Sequence, residues 1–263
     1  ALLYHPTQAP WTSRMGFFDF LKKGSSLPPA TSAEKKVSGP AKVVADKRAQ
    51  TYDRAEAIQQ LCVIGTPEAA AALLKRFTFS IDPSITDQEE KDTAYAGIIE
   101  VGEPAVPAIL AFCERAEVLT WPLRMLKEIL DEESYVEKLL ALAEGQDTEY
   151  SRNVEPKLQV LSALEEVHGE EVRLAAERFL EDVNENVRFH AIAATFAQAN
   201  PKSIPPILRA MAEEESVRIK NKICDGFVTR AWKVPEELLE QARASMKDVY
   251  DFRLSADGVI ARH

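Results

Sequence analysis

Histidine and cysteine are the residue types in this chain best suited to bind a metal or to act as nucleophiles, and there are only four His and three Cys. His168 and His190 are the two histidines away from the ends, and neither has a second histidine at the spacing of a metal site. The cysteines lie among apolar residues, with no CxxC or Cys/His motif: Cys62, Cys113 and Cys224. We therefore predict no metal, no cofactor and no disulfide framework.

Carboxylate pairs occur at 165–166, 170–171 and 236–237, and paired carboxylates are one way to build a general acid and base. Adjacent residues on a helix point about 100° apart, so these pairs are more typical of a solvated face. The sequence has no glycine-rich phosphate loop and no GxSxG or HExxH motif. It predicts no catalytic residue, and we expect a protein that is not an enzyme.

One local excess of positive charge lies at 217–233, where five Lys and Arg outweigh a single Asp and Trp232 is included. A basic helix that carries an aromatic ring is suited to a phosphate-bearing or acidic partner. The alternative is that these cations neutralise the acidic run 213–215. The sequence leaves both interpretations open.

The whole chain of 263 residues carries a formal charge of −10, with 46% hydrophobic and 28% charged residues. A dedicated binder of duplex nucleic acid needs a broad Lys/Arg surface, so this charge disfavours a nucleic-acid partner. No apolar stretch approaches the ~20 residues of a transmembrane helix. Unpaired cysteines and the lack of a secretory signal favour a cytoplasmic protein.

Positive charge is concentrated in the first part of the chain. Residues 1–50 have a net charge of +5, and residues 24–50 are rich in Gly, Ser, Pro, Ala and Lys with no aromatic side chain. A segment of this composition buries too little apolar surface to offset its ordering entropy. We predict that residues 1–50 form a disordered, flexible N-terminal extension, and that residues 1–46 are dispensable for folding.

A short apolar segment with a basic end lies inside this extension, at residues 15–23. Its start at Met15 is typical of the opening of a bacterial reading frame. Phe17 and Phe18 stand close to two lysines, a combination suited to an interface, so we expect a docking or peripheral membrane contact here. The alternative is a terminal segment that packs on the domain or stays disordered.

From Tyr52 onward, apolar residues recur three and four positions apart, and Gly, Pro or Asn breaks the pattern at nearly regular intervals. The first break places Thr66 to cap a helix and Pro67 at its first position. Five intervals between Gly65 and Val234 give a period of about 34 residues. Such a period predicts stacked helical hairpins, since a single hairpin cannot bury its own apolar face.

Two segments narrow the type of repeat: IEVGEPAVPAIL at 99–110 and NVRFHAIAA at 186–194. Both resemble HEAT repeats, particularly the bacterial HEAT-like form first associated with phycobilisome lyases. The resemblance covers roughly residues 52–248 and six hairpins.

The resemblance implies an all-α fold, an α-solenoid of about six stacked hairpins. We place the repeat domain at 51–248 and a C-terminal tail at 249–263. In HEAT families the Arg of a Val-Arg pair commonly bonds acidic groups at the neighbouring repeat's turn. The resemblance therefore implies this structural role for Arg188 and Arg218.

In a solenoid the second helices form an inner face, where partners usually bind. The predicted second helices carry a mixed row of acids and bases, which favours a protein partner over nucleic acid. We predict that four arginines of this row and two phenylalanines of the extension bind the partner: Arg76, Arg115, Arg178, Arg209, Phe17 and Phe18. The leading hypothesis is a non-enzymatic scaffold or adaptor, tethered by residues 15–23.

Two further hypotheses come from proteins with similar repeats. A HEAT-like alkylpurine DNA glycosylase uses a concave basic surface with Trp and Asp around an extruded nucleotide. This chain offers Trp121 and Trp232, yet its repeat region has a net charge of −15. A lyase or chaperone acting on a tetrapyrrole-bearing protein is suggested only by the phycobilisome-lyase form of the repeat.

Overall fold

The computed structural model of the chain describes residues 32–263, with side chains from Lys36 onward. Within this range the protein has thirteen α-helices and one short β-hairpin. The prediction of an all-α fold is confirmed.

A single helix, α1 (Ser32–Val44), precedes six pairs of helices. The first helices of the pairs are α2 Thr51–Ile64, α4 Ser84–Val101, α6 Thr120–Ile129, α8 Glu155–Glu165, α10 Glu185–Ala197 and α12 Val217–Arg230. The second helices are α3 Pro67–Leu73, α5 Val106–Cys113, α7 Glu132–Glu144, α9 Glu170–Arg178, α11 Ile204–Glu213 and α13 Leu239–Ser245. Short 3-10 turns adjoin five of the second helices: Leu74–Thr78, Glu103–Ala105, Phe179–Glu181, Pro201–Ser203 and Glu236–Leu238. Strands β1 Phe252–Leu254 and β2 Ile260–Arg262 follow α13.

The turn inside the first pair forms as its residues predict. The Thr66 side chain accepts a hydrogen bond from the backbone N–H of Ala69. Pro67 occupies the first turn of α3, where a backbone N–H would have no helical partner. Gly65 ends α2 in the left-handed conformation, with φ 58°, which a residue without a Cβ adopts at no steric cost.

Each pair packs on the pair before it and the pair after it. Helix α4 contacts both α2 and α6, and α10 contacts both α8 and α12. Fully buried side chains from successive first helices contribute to one continuous core: Leu61, Ile98, Leu126, Leu161, Ile192 and Ile223. This linear order is the one that stacked hairpins require, because each pair covers the apolar face of its neighbour. The curved superhelix of a solenoid stays a prediction.

Helix α1 corrects the predicted extent of the flexible extension. It lies within residues 1–50, and its Val37 and Val44 side chains are buried against α2 and α3. Residues 24–50 have the composition of a linker, yet they contain two apolar residues seven positions apart, which share one face of a helix. Residues 32–44 therefore belong to the folded domain, where they cover the first pair. Of the rest of the predicted extension, residues 45–50 form the turn that leads to α2, and residues 1–31 lie outside the described residues.

The segment predicted as a C-terminal tail, 249–263, is also part of the fold. Strands β1 and β2 pair antiparallel, β2 packs on α12, and the Phe252 and Ile260 side chains are buried. Gly258, at φ 83°, accepts a hydrogen bond at its carbonyl from the N–H of Val234. A Cβ on Gly258 would lie 2.3 Å from the Val234 carbonyl oxygen, so glycine permits this close approach. The hairpin covers the last pair as α1 covers the first.

Within residues 32–263, no single helix has the length and apolar composition of a membrane span. Helix α4 and the segment Glu103–Cys113 meet those criteria only when taken together, and they are bent by 110° at the break between them.

Replacing Val44 by Ala should lower the free energy of unfolding by about 2 kcal/mol, because the lost methyl groups are fully buried. Val63→Ala is the matched control, since Val63 is 87% exposed and its truncation should change stability by less than about 0.5 kcal/mol. Urea unfolding followed by circular dichroism measures both. Equal stability of Val44→Ala and the unchanged chain would contradict the packing of α1 on the first pair.

Candidate functional site

Arg76, predicted to contact a partner, is fully buried. Its guanidinium donates to a carboxylate oxygen of Glu90 at 2.6 Å, to one of Asp87 at 2.7 Å, and to the backbone oxygen of Phe79 at 3.1 Å. A partner has no access to this side chain, so the prediction for Arg76 is wrong. The reason is tertiary: α4 brings two carboxylates against the turn that follows α3.

Glu90 is the centre of this buried cluster. Its Oε2 accepts hydrogen bonds from both Arg54 Nε, at 2.7 Å, and Arg76 Nε. Its Oε1 has no hydrogen-bond partner among the described residues. One carboxylate therefore joins cations from α2 and from the turn after α3 to α4, and the cluster holds the first two pairs together.

Arg178 is exposed, but its guanidinium is engaged by the fold. It donates to the backbone oxygens of Ala143 and Gln146, the latter at 2.8 Å, and it lies over the Phe179 ring. The Ala143 carbonyl lies in the last turn of α7, where it also accepts a hydrogen bond from the Gln146 N–H, and the Gln146 carbonyl lies just beyond the helix. Arg178 therefore caps the third pair from the fourth.

The other four predicted partner-binding residues differ in their surroundings. Arg115 is exposed, and its side chain bonds to no other residue in the range 36–263. Arg209 is exposed and lines a large groove. Phe17 and Phe18 lie outside the described residues. Of the four arginines, Arg209 is therefore the one that lines this groove.

We call the cavity that Arg209 lines the acidic groove. Its volume is about 740 Å³, and it is formed mainly by α11, the turn before α10 and the turn after α11. Its lining consists of Leu180, Glu181, Asp182, Val183, Arg188, Arg209, Ala210, Glu213, Glu214, Glu215 and Gln241.

Three of these carboxylates are open to a ligand. Glu181, Glu213 and Glu215 are exposed, and none of the three carboxylates forms an ion pair or hydrogen bond with another side chain of the described domain. Val183 lies beside them with 57% of its surface exposed. The groove thus combines unpaired negative charge with an apolar contact.

The other two acids of the acidic groove are engaged by the fold. Asp182 is buried and accepts a hydrogen bond from Lys157 Nζ at 2.9 Å. Glu214 accepts from Arg188 Nε at 2.7 Å and Nη2 at 2.9 Å. Burial raises the pKa of Glu214, but hydrogen bonds from Arg188 and from the Ser216 backbone outweigh burial, so its pKa lies below the ordinary value of 4.5.

A second cavity, which we call the basic groove, has a volume of about 420 Å³ and lies between α10, α12 and the β-hairpin. It is lined by Phe189, Arg218, Asn221, Lys222, Asp225, Asp251, Phe252, Arg262 and His263.

Aromatic rings position the cations of the basic groove. The Arg218 guanidinium lies 4.1 Å from the centre of the Phe189 ring, and Lys222 Nζ lies 5.2 Å from the same centre. The Arg262 guanidinium lies 5.3 Å from the centre of the Phe252 ring. A cation–π contact does not neutralise a cation, so Lys222 keeps its positive charge available to a ligand, whereas Arg218 and Arg262 also pair with Glu185 and Asp225.

The basic run 217–233 does not neutralise the acidic run 213–215. Arg218 bonds Glu185 at 3.2 Å, Lys220 bonds Asp248 at 2.9 Å, and in the described domain no cation of 217–233 pairs with an acid of 213–215. That alternative is wrong. Arg188 bonds Glu214, in the turn after its own pair, and Arg218 bonds Glu185, in the first turn of the preceding pair, so both arginines make contacts within the stack.

The two tryptophans considered for a nucleotide site belong to aromatic clusters in the domain. Trp232 packs against Phe196 and Phe227, with ring centres 5.3 and 6.1 Å apart. Trp121 packs against Phe77 and Tyr95, at 5.1 and 5.7 Å. Neither tryptophan lines the acidic groove or the basic groove.

A smaller cavity of about 230 Å³ adjoins the basic groove, because Lys222 and Asp225 line both. Burial raises the pKa of Glu165 in this cavity, and the charges of His190 and Lys222 only partly offset the effect. In the part of the chain that the structure describes, no group of three or more His, Cys, Asp or Glu side chains is arranged to hold a metal ion.

The two buried cysteines are poor nucleophiles. Burial raises the pKa of Cys113 and of Cys224 to about 12, so both remain protonated thiols at neutral pH. Cys62 is half-buried and is likewise free of any disulfide.

The sequence did not identify the three open carboxylates or Val183 as site residues, although it contained one signal for the carboxylates. The run 213–215 was noted as a charge cluster, but only folding separates the engaged Glu214 from its two open neighbours. A comparison with protein families, curated proteins and solved structures finds no match for this chain. The two grooves are therefore the features of this chain that bear on its function.

Arg76→Glu should cost about 3–5 kcal/mol of stability or more, because it places a carboxylate against Glu90 and Asp87 in a buried site. Arg115→Glu, at an exposed position with no bonded side chain, should change stability by less than about 0.5 kcal/mol. Thermal melting distinguishes them. A normal melting temperature for Arg76→Glu would show that the buried cluster does not hold the first two pairs together.

Glu214→Gln should lower the free energy of unfolding by roughly 2 kcal/mol at pH 7, since it removes a charge-assisted bond to Arg188. Glu213→Gln is the control, because the carboxylate of Glu213, the residue next to Glu214, bonds to nothing in the described domain. The folded pKa of Glu214 is depressed, so its contribution is present above about pH 4.5 and is lost as the pH falls through the folded value. The stability difference between Glu214→Gln and the unchanged chain should therefore shrink between pH 5 and acidic pH. A difference independent of pH would contradict the ion pair.

Proposed function

We propose that this chain is a non-enzymatic scaffold that binds a protein partner in the acidic groove, and that the partner offers a basic segment with an apolar side chain. The observation that carries the proposal is the coincidence of three unpaired carboxylates with exposed Val183 in one concave surface. The HEAT-like resemblance of the repeat supports the same class of function.

Charge and apolar contact have separate roles in this proposal. Exposed ion pairs contribute only about 0–1 kcal/mol each, so the three carboxylates select and orient a basic partner rather than supply most of the affinity. Burial of apolar surface at Val183 and Ala210 supplies the larger favourable contribution. Arg209, on the same lining, disfavours a partner cation at its own position and so fixes the register of the segment.

Two observations favour a protein partner over an extruded nucleotide. The acidic groove repels phosphate, and the whole chain carries a charge of −10. Trp121 and Trp232 pack in aromatic clusters, which leaves neither ring lining one of the two grooves. The partner-binding role of residues 15–23 remains a second element of the proposal, as a tether that raises the effective concentration of the partner site.

The test uses peptide pools of equal length that pair apolar residues with Lys/Arg, with Asp/Glu, or with neutral polar residues. We expect the Lys/Arg pool to bind and its affinity to fall with salt, because opposite charges are screened. The triple variant Glu181→Gln, Glu213→Gln and Glu215→Gln should bind at least ~10-fold more weakly, since three favourable charge contacts are lost together. Isothermal titration calorimetry measures both effects.

A charge-matched control removes three exposed acids outside the acidic groove: Glu114→Gln, Glu117→Gln and Glu149→Gln. This control should bind the Lys/Arg pool as the unchanged chain does, whereas a general effect of net charge would weaken both triple variants equally. Binding that does not depend on peptide charge, or that survives the groove triple variant, would refute the proposal.

A further inference from the structure

Lys222 is the clearest spare cation of the basic groove. Its ammonium makes no hydrogen bond or salt bridge with any residue in the described domain; it lies over the ring of Phe189, and its charge lowers the pKa of Glu165. A lysine ammonium has three N–H donors, all of which are free to bind a ligand here. Lys222 also lies where the basic groove meets the smaller adjoining cavity.

The two arginines of the basic groove are only partly used by the fold. Arg218 donates through Nη1 to Glu185 and Asn186, and Arg262 donates through Nη2 to Asp225. A guanidinium has five N–H donors. Each arginine therefore keeps N–H groups on its other nitrogen atoms that bond to nothing in the described domain.

Asn221 adds an independent observation at the same cavity. Its Oδ1 is buried and has no hydrogen-bond partner among the described residues, although a buried polar atom without a partner is costly. A half-turn of the side-chain amide exchanges oxygen and nitrogen, and would place two N–H donors at this position. A ligand that accepts hydrogen bonds would satisfy them.

We propose that the basic groove binds a phosphate monoester, with Arg218, Lys222 and Arg262 donating to the phosphate oxygens and Asn221 as a fourth donor. The site is separate from the acidic groove, so it does not depend on the proposed protein partner. The cavity of about 420 Å³ has room for the phosphate and for part of the group to which it is esterified.

The number and arrangement of cations favour a monoester over other anions. A monoester carries close to two negative charges at pH 7 and presents three acceptor oxygens, which suits cations from two separate elements, α12 and β2. A carboxylate is planar and is matched by a single guanidinium. A nucleic-acid strand is disfavoured, because Asp225 and Asp251 also line the groove and would repel the phosphates that flank the bound one.

The experiment titrates the full chain by calorimetry at pH 7.5 with two monoesters: a phosphoserine hexapeptide and glycerol 3-phosphate. The unphosphorylated hexapeptide and a short single-stranded oligonucleotide are measured beside them. Similar affinity for both monoesters would indicate a site for small phosphorylated molecules, whereas tighter binding of the hexapeptide would indicate a phosphorylated protein segment. Binding should weaken toward pH 5, because the second phosphate pKa is about 6.

Two variants of Lys222 and one control variant test whether Lys222 is a donor to the phosphate. Lys222→Met, which keeps the apolar stem, should weaken monoester binding roughly 10-fold, and Lys222→Arg should restore most of it. Lys233→Met is the matched control, since Lys233 is exposed, lies just beyond α12 and pairs with Asp257 outside the groove. The melting temperature of each variant confirms that it is folded.

Three results would overturn the proposal. The first is no saturable binding of either monoester, and the second is equally tight binding of the unphosphorylated hexapeptide or the oligonucleotide. The third is unchanged monoester affinity in folded Lys222→Met.

Discussion

The last three helix pairs share an ion pair that joins the two helices of a pair and holds the turn that follows them. A cation near the start of the first helix bonds an acid that follows the second helix: Lys157 with Asp182, Arg188 with Glu214 and Lys220 with Asp248. The acid also accepts backbone N–H groups of the turn that leads onward, as Asp182 does from Asn184 and Glu214 does from Glu215 and Ser216. Arg188 in addition donates to the carbonyls of Asp182 and Val183 in the preceding turn. Apolar packing favours stacking in general, and these directional bonds fix the register in which neighbouring pairs meet.

A linear stack leaves one apolar face uncovered at each end. Helix α1 covers the first pair through Val37 and Val44, and the β-hairpin covers the last pair through Phe252 and Ile260. Repeat proteins need such terminal units, because an exposed apolar face would favour association between chains. The hairpin also brings Arg262 to α12, so the element that closes the stack completes the basic groove.

The two grooves come from the same arrangement and carry opposite charge. The acidic groove forms where the turn before α10 meets the turn after α11. These turns supply the acids of the ion pairs, and they carry more acids than the cations engage. The basic groove forms on the first helices, where cations are held over the rings of Phe189 and Phe252 instead of against carboxylates alone. A chain with net charge −10 thus keeps one site suited to cations and one suited to a small anion.

The sequence by itself determined the helical class and the break at Gly65 to Pro67, because these depend on spacing and on local capping chemistry. The sequence did not reveal that α1 and the β-hairpin are folded. The apolar residues of each element indicate a folded segment only when they are seen together with the surface that they cover. Tertiary structure alone decided the fate of the charged residues. Arg76 follows the second helix α3, and Arg209 lies on the second helix α11. Helix α4 buries Arg76 against two carboxylates, whereas Arg209 stays exposed. Likewise Glu214 is engaged while Glu213 is open, because only one of two adjacent side chains on this turn can face Arg188.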